Sequence, residues 1–359
     1  MKVGILSEQL RQEIPGGIGT YLKGLFAGLV ALENPDLDLV ALTSRAPKDD
    51  PLVGEGIDVA ASRFGHRLQM ALWDRGCTLP AIDLDVLHRS SLAGPTSNKS
   101  MPPCSVMVHD LGWREVPALT TSRGVRWHEA AFQKVVKSSA VVVTPSDSVA
   151  KAVEEAGISP ERLRIIGEGS DHMPPANHEA TTRLLEHSGI TGRFFLTVST
   201  LEPRKNLRRL IHAYSEARLA FSEPLPLLIV GPQGWGPTLE PADGVIFAGR
   251  QPDEILAGLY ERASCFVYVP ILEGFGLPPL EAMAHGAAVI VSTTTPSTQA
   301  CEACWKVDAT DQAAIREMLI KAELSGSLED LRQQGRAFAG QHRWVDVAQA
   351  HLDIWKTLA

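Results

Sequence analysis

Short apolar runs alternate along the chain with longer segments whose apolar residues recur at helical spacing. Val3 to Leu6, Leu37 to Thr43, Ala140 to Thr144 and Leu163 to Ile166 read as strands, and Val86 to His88 and Ser105 to His109 as strand ends. Between them, Thr20 to Leu32, Leu68 to Trp73, residues 122 to 138, and the stretch from a capping Ser146 through Ala156 read as helices. A second series of strands follows at Phe194 to Ser199, Leu227 to Val230, Val245 to Ala248, Cys265 to Val269 and Val289 to Val291. An amphipathic helix from about Val345 to Trp355 ends the chain. Strands separated by helices predict parallel sheets with crossover helices. Residues 171 to 180 carry two prolines among polar residues and read as a linker. The expected fold class is α/β, with two doubly wound parallel-sheet domains facing across a cleft and ligands at the carboxyl ends of the strands.

A length of 359 residues accommodates about two domains, and 44% hydrophobic residues supports full cores. The net charge is −8 and neither half is basic, which argues against nucleic acid as a partner. No apolar run approaches the roughly 18 residues that span a bilayer. The first ten residues, MKVGILSEQL, are too short an apolar stretch for a secretory leader, so a cytoplasmic location is expected. Five cysteines, an odd number, point to reduced thiols, and the lone Cys301-Glu-Ala-Cys304 has no second ligand pair nearby for zinc. Arg63, His66, Arg67 and Arg75 flank the apolar Leu68 to Trp73. An ordinary surface helix is the preferred reading, and a weak peripheral contact with the inner face of a membrane stays open.

The densest chemistry lies in Glu273-Gly-Phe-Gly-Leu-Pro-Pro-Leu-Glu281. An apolar run precedes it and a helical composition follows, with Pro278 or Pro279 suited to a first helical turn. Glu273 is expected on the loop after the strand and Glu281 in the first turn of the helix, with the backbone N–H groups of Gly274, Phe275, Gly276 and Leu277 between them. That arrangement suits a ligand with both hydroxyls and an anion. Glu202-Pro-Arg-Lys-Asn206 follows another strand. Arg204 and Lys205 in the first turn of a helix capped by Asn206 would oppose its dipole, and make sense if a diphosphate sits between the two. Gly16-Gly17-Ile-Gly19 reads as a turn that lets a ligand approach the backbone, though it is not the dinucleotide fingerprint. His109 ends a strand, where a histidine can donate to a hydroxyl or move a proton. Gly231 to Gly236 reads as a ligand-facing loop, and Gly249-Arg250 as a contact for a nucleobase.

Taken together, GGIGTY near the start, VSTLEPRKNLRRLIHAY, the VGP run, EGFGLPPLEAMAHG and the tail His342-Arg-Trp-Val-Asp346 resemble the retaining glycosyltransferases of family 4, in particular their mannosyltransferase-like members. The resemblance covers nearly the whole chain and is strongest from about 194 to 291. It implies the GT-B fold: an acceptor-binding Rossmann-like domain over 1–178, a donor-binding one over 179–340, and a C-terminal helix, 341–359, packed back on the first. It implies a nucleotide-diphosphate sugar as donor, GDP- or UDP-linked, with a glycan, lipid-linked or small-molecule acceptor, no cofactor and no metal. By resemblance Glu281 holds the donor ribose, Glu273 lies near the transferred hexose, and Arg204 with Lys205 binds the diphosphate. Gly16 and Gly17 close over the phosphates, His109 lies beside the sugar, and the backbone of Gly274 to Leu277 completes the pocket.

The chain departs from the family pattern at Ser199, at Gly286-Ala-Ala288 and at Thr294-Thr-Pro-Ser-Thr298, where Glu302 is displaced. Retaining transfer of a hexose is the expected activity. The alternatives are a nucleotide-sugar epimerase of the same architecture, which needs acid and base groups on both sides of one carbon, and a non-catalytic sugar-nucleotide-binding subunit. A nicotinamide dehydrogenase is disfavoured by the missing glycine fingerprint.

Overall fold

The structure is a computed structural model describing residues 1–46, 50, 53–54, 56–75, 83–95, 101–223, 225–325 and 327–359. The chain forms two compact units, Met1–His172 with Arg343–Ala359, and Met173–His342.

In the first unit the elements are β1 (Lys2–Leu6), α1 (Gly16–Ala31), β2 (Asp38–Thr43), β3 (Asp58–Ala61), α2 (His66–Asp74), β4 (Val86–Arg89), β5 (Cys104–Met107), α3 (Gly112–Glu115), α4 (Ser122–Val136), β6 (Val141–Thr144), α5 (Asp147–Glu155) and β7 (Leu163–Ile165). All seven strands are parallel, in the order β3-β2-β1-β4-β5-β6-β7. The order reverses between β1 and β4, which is where an open α/β sheet leaves a crevice at its carboxyl edge. The central strands are buried on both faces, polar His88, Arg89 and Ser105 included, which is why they show no alternation of buried and exposed positions. Ser146 caps α5 by accepting the Val149 N–H, as its position predicts.

The second unit repeats the plan with α6 (His178–His187), β8 (Phe195–Val198), α7 (Leu207–Arg218), β9 (Leu227–Val230), β10 (Val245–Gly249), α8 (Asp253–Arg262), β11 (Cys265–Tyr268), α9 (Leu277–Ala284), β12 (Val289–Ser292), β13 (Trp305–Val307), α10 (Gln312–Leu324) and α11 (Glu329–Ala339). Its six strands are parallel in the order β10-β9-β8-β11-β12-β13, reversing between β8 and β11. One apolar core fills each face of this sheet. The chain ends in α12 (Trp344–Leu358), which packs along α1 in the first unit.

Several elements differ from the sequence reading. Residues 178 to 180 of the expected linker begin α6, because Asn177 caps that helix by accepting the Ala180 N–H. Residues 173 to 178, expected in the first domain, belong to the second unit. The edge strands β3 and β13 are four and three residues long, too short to form a readable apolar run. Gly16 and Gly17 are not a turn ahead of a helix; they are its first two residues.

Candidate functional site

In the second unit both residues that matter most follow strands flanking the reversal point. After β8 the chain makes a parallel bridge from Leu201 to Gln233, then a 3-10 turn over Pro203–Lys205. Asn206 stands at the N-cap position of α7 with φ 61° and makes no side-chain cap. Its amide donates instead to the Val269 and Ala309 carbonyls at 2.9 and 2.8 Å, fastening this turn to the end of β11. Arg204 and Lys205 therefore precede α7 rather than occupying its first turn, and what balances their charge is a pair of carboxylates, not the helix.

After β11 the loop brings Glu273 onto them. Lys205 Nζ donates to Glu273 Oε1 at 2.5 Å and to Tyr268 Oη at 3.0 Å, and Tyr268 Oη donates to the same Oε1 at 2.8 Å. Arg204 Nη1 lies 3.8 Å from Glu273 Oε2, and Arg204 Nη2 lies 3.2 Å from Glu202 Oε1. Burial by itself would raise the Glu273 carboxyl; Lys205 and Arg204 outweigh it and hold the group below its ordinary range. Burial, and then the Glu273 charge, pushes the Tyr268 phenol well above its ordinary value, so it stays a donor. Glu202 is raised chiefly by burial, which the two cations only partly offset.

Glu281 falls in the second turn of α9, not the first, because the helix begins at Leu277. It is 8% exposed and its Oε2 accepts from Tyr260 Oη at 2.9 Å. Pro278 and Pro279 in the first turn have no N–H to leave unsatisfied. Gly276 adopts φ 96° over Thr295, a conformation and a clearance that only glycine meets. Ser297 ties this loop down, its N–H donating to Phe275 O at 2.9 Å and its hydroxyl to Gly276 O at 2.6 Å. The loop Gly274 to Leu277 is thus held by the Thr294–Thr298 segment in which the chain departs from the expected pattern. Arg250 is exposed just beyond β10.

In the first unit His109 follows β5. Its Nε2 donates to the Ser90 carbonyl at 2.9 Å, and its Nδ1 faces Glu168 Oε1 at 3.5 Å. Glu168 is 5% exposed, and the ring of Tyr21 from α1 meets His109 edge-on at 5.1 Å. Gly16 and Gly17 open α1, and a Cβ on either would meet nothing within 4 Å. In α2 one apolar residue faces the core and another faces out: Leu68 is 51% exposed. Trp73 is 2% exposed in the core, and His66 donates to Glu8 at 2.5 Å. Among the described residues no helix is long and apolar enough to cross a membrane, and no group of three or more His, Cys, Asp or Glu is placed to hold a metal ion. Cys301 and Cys304 are buried thiols, and the four described cysteines are free; Cys77 lies outside the described residues.

The sequence reading missed Glu202, Tyr260, Tyr268, Tyr21 and Glu168. Glu202 stood inside the motif and Glu168 just beyond a strand, both findable as carboxylates at strand ends. The tyrosines sit in apolar runs and read as core.

Residues 15–172 match the family model described as Glycosyltransferase Family 4, and residues 185–338 match the one described as Glycosyl transferases group 1. The chain is 28% identical over 263 residues to an O-antigen chain mannosyltransferase B of Escherichia coli, a match spanning 70% of this chain and 69% of that one. It is 32% identical over 177 residues to the serotype-specific mannosyltransferase WbdA of the same organism, covering 46% of this chain but 20% of WbdA. Among solved structures, Anabaena HepE in complex with UDP and glucose superimposes with a TM-score of 0.73 at 17% identity, over all of both chains. WaaG, a glycosyltransferase involved in lipopolysaccharide biosynthesis, gives 0.68 at 17% identity over 99% of each.

Proposed function

We propose that this chain, a member of glycosyltransferase family 4 with the GT-B fold, moves a hexose of mannose type from a nucleoside-diphosphate donor to a hydroxyl of a glycan or lipid-linked acceptor, with retention and without a divalent metal. The observation that carries this reading is the convergence of Arg204 and Lys205 on Glu273 at the carboxyl edge of the second sheet, beside its reversal point. The mannose preference rests on the mannosyltransferases among its relatives, and the nucleotide donor on neighbours bound to UDP or UDP-glucose.

In this reading the leaving diphosphate gains charge as the glycosidic bond breaks. Two cations already held by two carboxylates make a cluster close to neutral, and the arriving diphosphate competes with Glu273 and Glu202 for them. Because both cations are positioned beforehand, little reorganisation accompanies the developing charge. Glu281 takes the donor ribose and the backbone of Gly274 to Leu277 the sugar and its phosphate. Gly16, Gly17 and His109 keep the donor-side roles that the family pattern implies, and Gly249-Arg250 the nucleobase contact read from its place after a strand. The acceptor hydroxyl attacks the face the diphosphate leaves, giving its proton to the departing phosphate oxygen. A cytoplasmic setting belongs to this reading and is supported by the free thiols.

The test is release of nucleoside diphosphate from GDP-mannose by Glu273→Ala and Lys205→Ala proteins. Each should lose on the order of 10²–10³ in rate, the usual effect of removing one preorganised group. Near-native rates in both would overturn the assignment.

A further inference from the structure

Tyr260 lies on α8 and is fully buried, yet its hydroxyl reaches the neighbouring helix α9 and donates to Glu281 Oε2 at 2.9 Å. Its ring is clamped between two others. Phe266 of β11 meets it edge-on at 5.3 Å, and the His285 ring stacks on it at 6.2 Å with 21° between the planes. His285 stands at the C-terminal end of α9, where its N–H donates to the Glu281 carbonyl at 3.1 Å. The phenol, the carboxylate and the end of α9 are thus packed as one piece.

We propose that Tyr260 is a positioning residue for nucleotide binding: its hydroxyl sets the plane of the Glu281 carboxylate, and through it the preference of the site for a ribose that carries both hydroxyls. The proposal rests on the transferase reading above, in which Glu281 takes the donor ribose, and assigns the group that aims it. The 2′- and 3′-hydroxyls of a ribose donate to a carboxylate, and such charge-assisted bonds are strong only where the acceptor oxygens lie in the right directions. A glutamate has three side-chain torsions, the last of them broad, so an unheld carboxylate presents its oxygens in many orientations. With Oε2 bonded to a phenol whose ring is packed on two faces, the carboxylate plane is fixed before a nucleotide arrives.

Packing alone does not call for the hydroxyl, because a phenylalanine would fill nearly the same core volume. What the hydroxyl adds is one hydrogen bond to a carboxylate that is itself 8% exposed. A neutral donor suits the purpose. It orients the group and leaves the negative charge in place to attract ribose hydroxyls, where an ammonium or guanidinium would neutralise it. Burial, and then the Glu281 charge, pushes the phenol well above its ordinary value, so it keeps its proton and stays a donor.

The experiment is calorimetry on the full chain with GDP, with UDP, and with the 2′,3′-dideoxy analogue of whichever binds more tightly. The native chain should favour the ribose form at least about tenfold. Tyr260→Phe should weaken the ribose form about tenfold and leave the dideoxy form within about twofold of the native chain, so that the preference collapses. A purely structural role would weaken both forms alike, and that result, or no change in either, overturns the proposal. Glu281→Gln keeps an amide oxygen for the phenol and removes the charge. Adding Tyr260→Phe to it should take away no further ribose preference, and an added loss would place the action of the phenol elsewhere and overturn the proposal, even if the single variant fails to fold. A native chain that binds nucleotide with no preference for ribose overturns this proposal and the Glu281 role alone. One that binds neither GDP nor UDP brings down the transferase reading first, and this proposal with it.

Discussion

Lys205 and Glu273 are legible in the sequence because charged residues just after apolar runs stand out. Tyr268 is not, since it sits inside the run that forms β11 and its pattern says only that it is buried. Yet its hydroxyl touches both charges, and the buried carboxylate depends on all three groups. Lys205→Met removes the main influence that lowers the Glu273 carboxyl and leaves burial to raise it. Urea denaturation should show a loss of about 3–5 kcal/mol, the cost of breaking one side of a buried pair. Adding Glu273→Gln to that variant removes a buried charge left with only the more distant Arg204 beside it and should recover most of the loss. A double variant no more stable than Lys205→Met alone would mean that the pair is not coupled as its geometry implies.

The helix α1 exposes a limit of pattern reading at the level of elements. Its glycines at 16, 17 and 19 look like a turn because glycine is a poor helix former, so the helix is read as starting four residues late. Two further glycines, Gly24 and Gly28, one turn apart, serve packing instead. A Cβ on Gly24 would run into the Trp344 ring, and one on Gly28 into the Trp344 carbonyl. Their absence of side chain lets α12 lie close along α1, where Trp344 N–H is held by Asp171 at 2.8 Å. Gly28→Ala should lower the thermal midpoint of the first unit, because overpacking against backbone costs about 1–3 kcal/mol while the better helix former returns only about 1. Gly17→Ala, with open space around its Cβ, should leave the midpoint unchanged or raise it. Equal effects at both positions would contradict the packing account.

At the scale of the molecule, the C-terminal helix is bound into the first unit by a buried polar cluster. His88 Nε2 and His351 Nε2 each lie 3.0 Å from Tyr21 Oη, and Ser105 Oγ accepts from Trp355 Nε1 at 3.0 Å. Burial drives both histidines below their ordinary value, His351 to about 3 and His88 well below 6.5. An unfolded chain takes up protons on these rings below about pH 6.5 that the folded chain refuses, so stability is complete above that pH and falls as the solution is acidified towards pH 3. Each ring contributes a slope of at most ~1.4 kcal/mol per pH unit, and the urea midpoint of the first unit should drop between pH 7 and pH 5.5. His351→Gln should flatten that dependence, and an unchanged slope would remove the two rings from the account. The alternation of short apolar runs with amphipathic helices determined the α/β class, the repeated plan and the positions of Glu273, Arg204 and Lys205, because strand burial and loop charge are properties of neighbours in sequence. Which carboxylate meets which cation, what Asn206 bonds to, and the arrival of α12 against Gly24 and Gly28 come from residues up to 330 positions apart. No local pattern encodes such distances, so only the folded chain decided them.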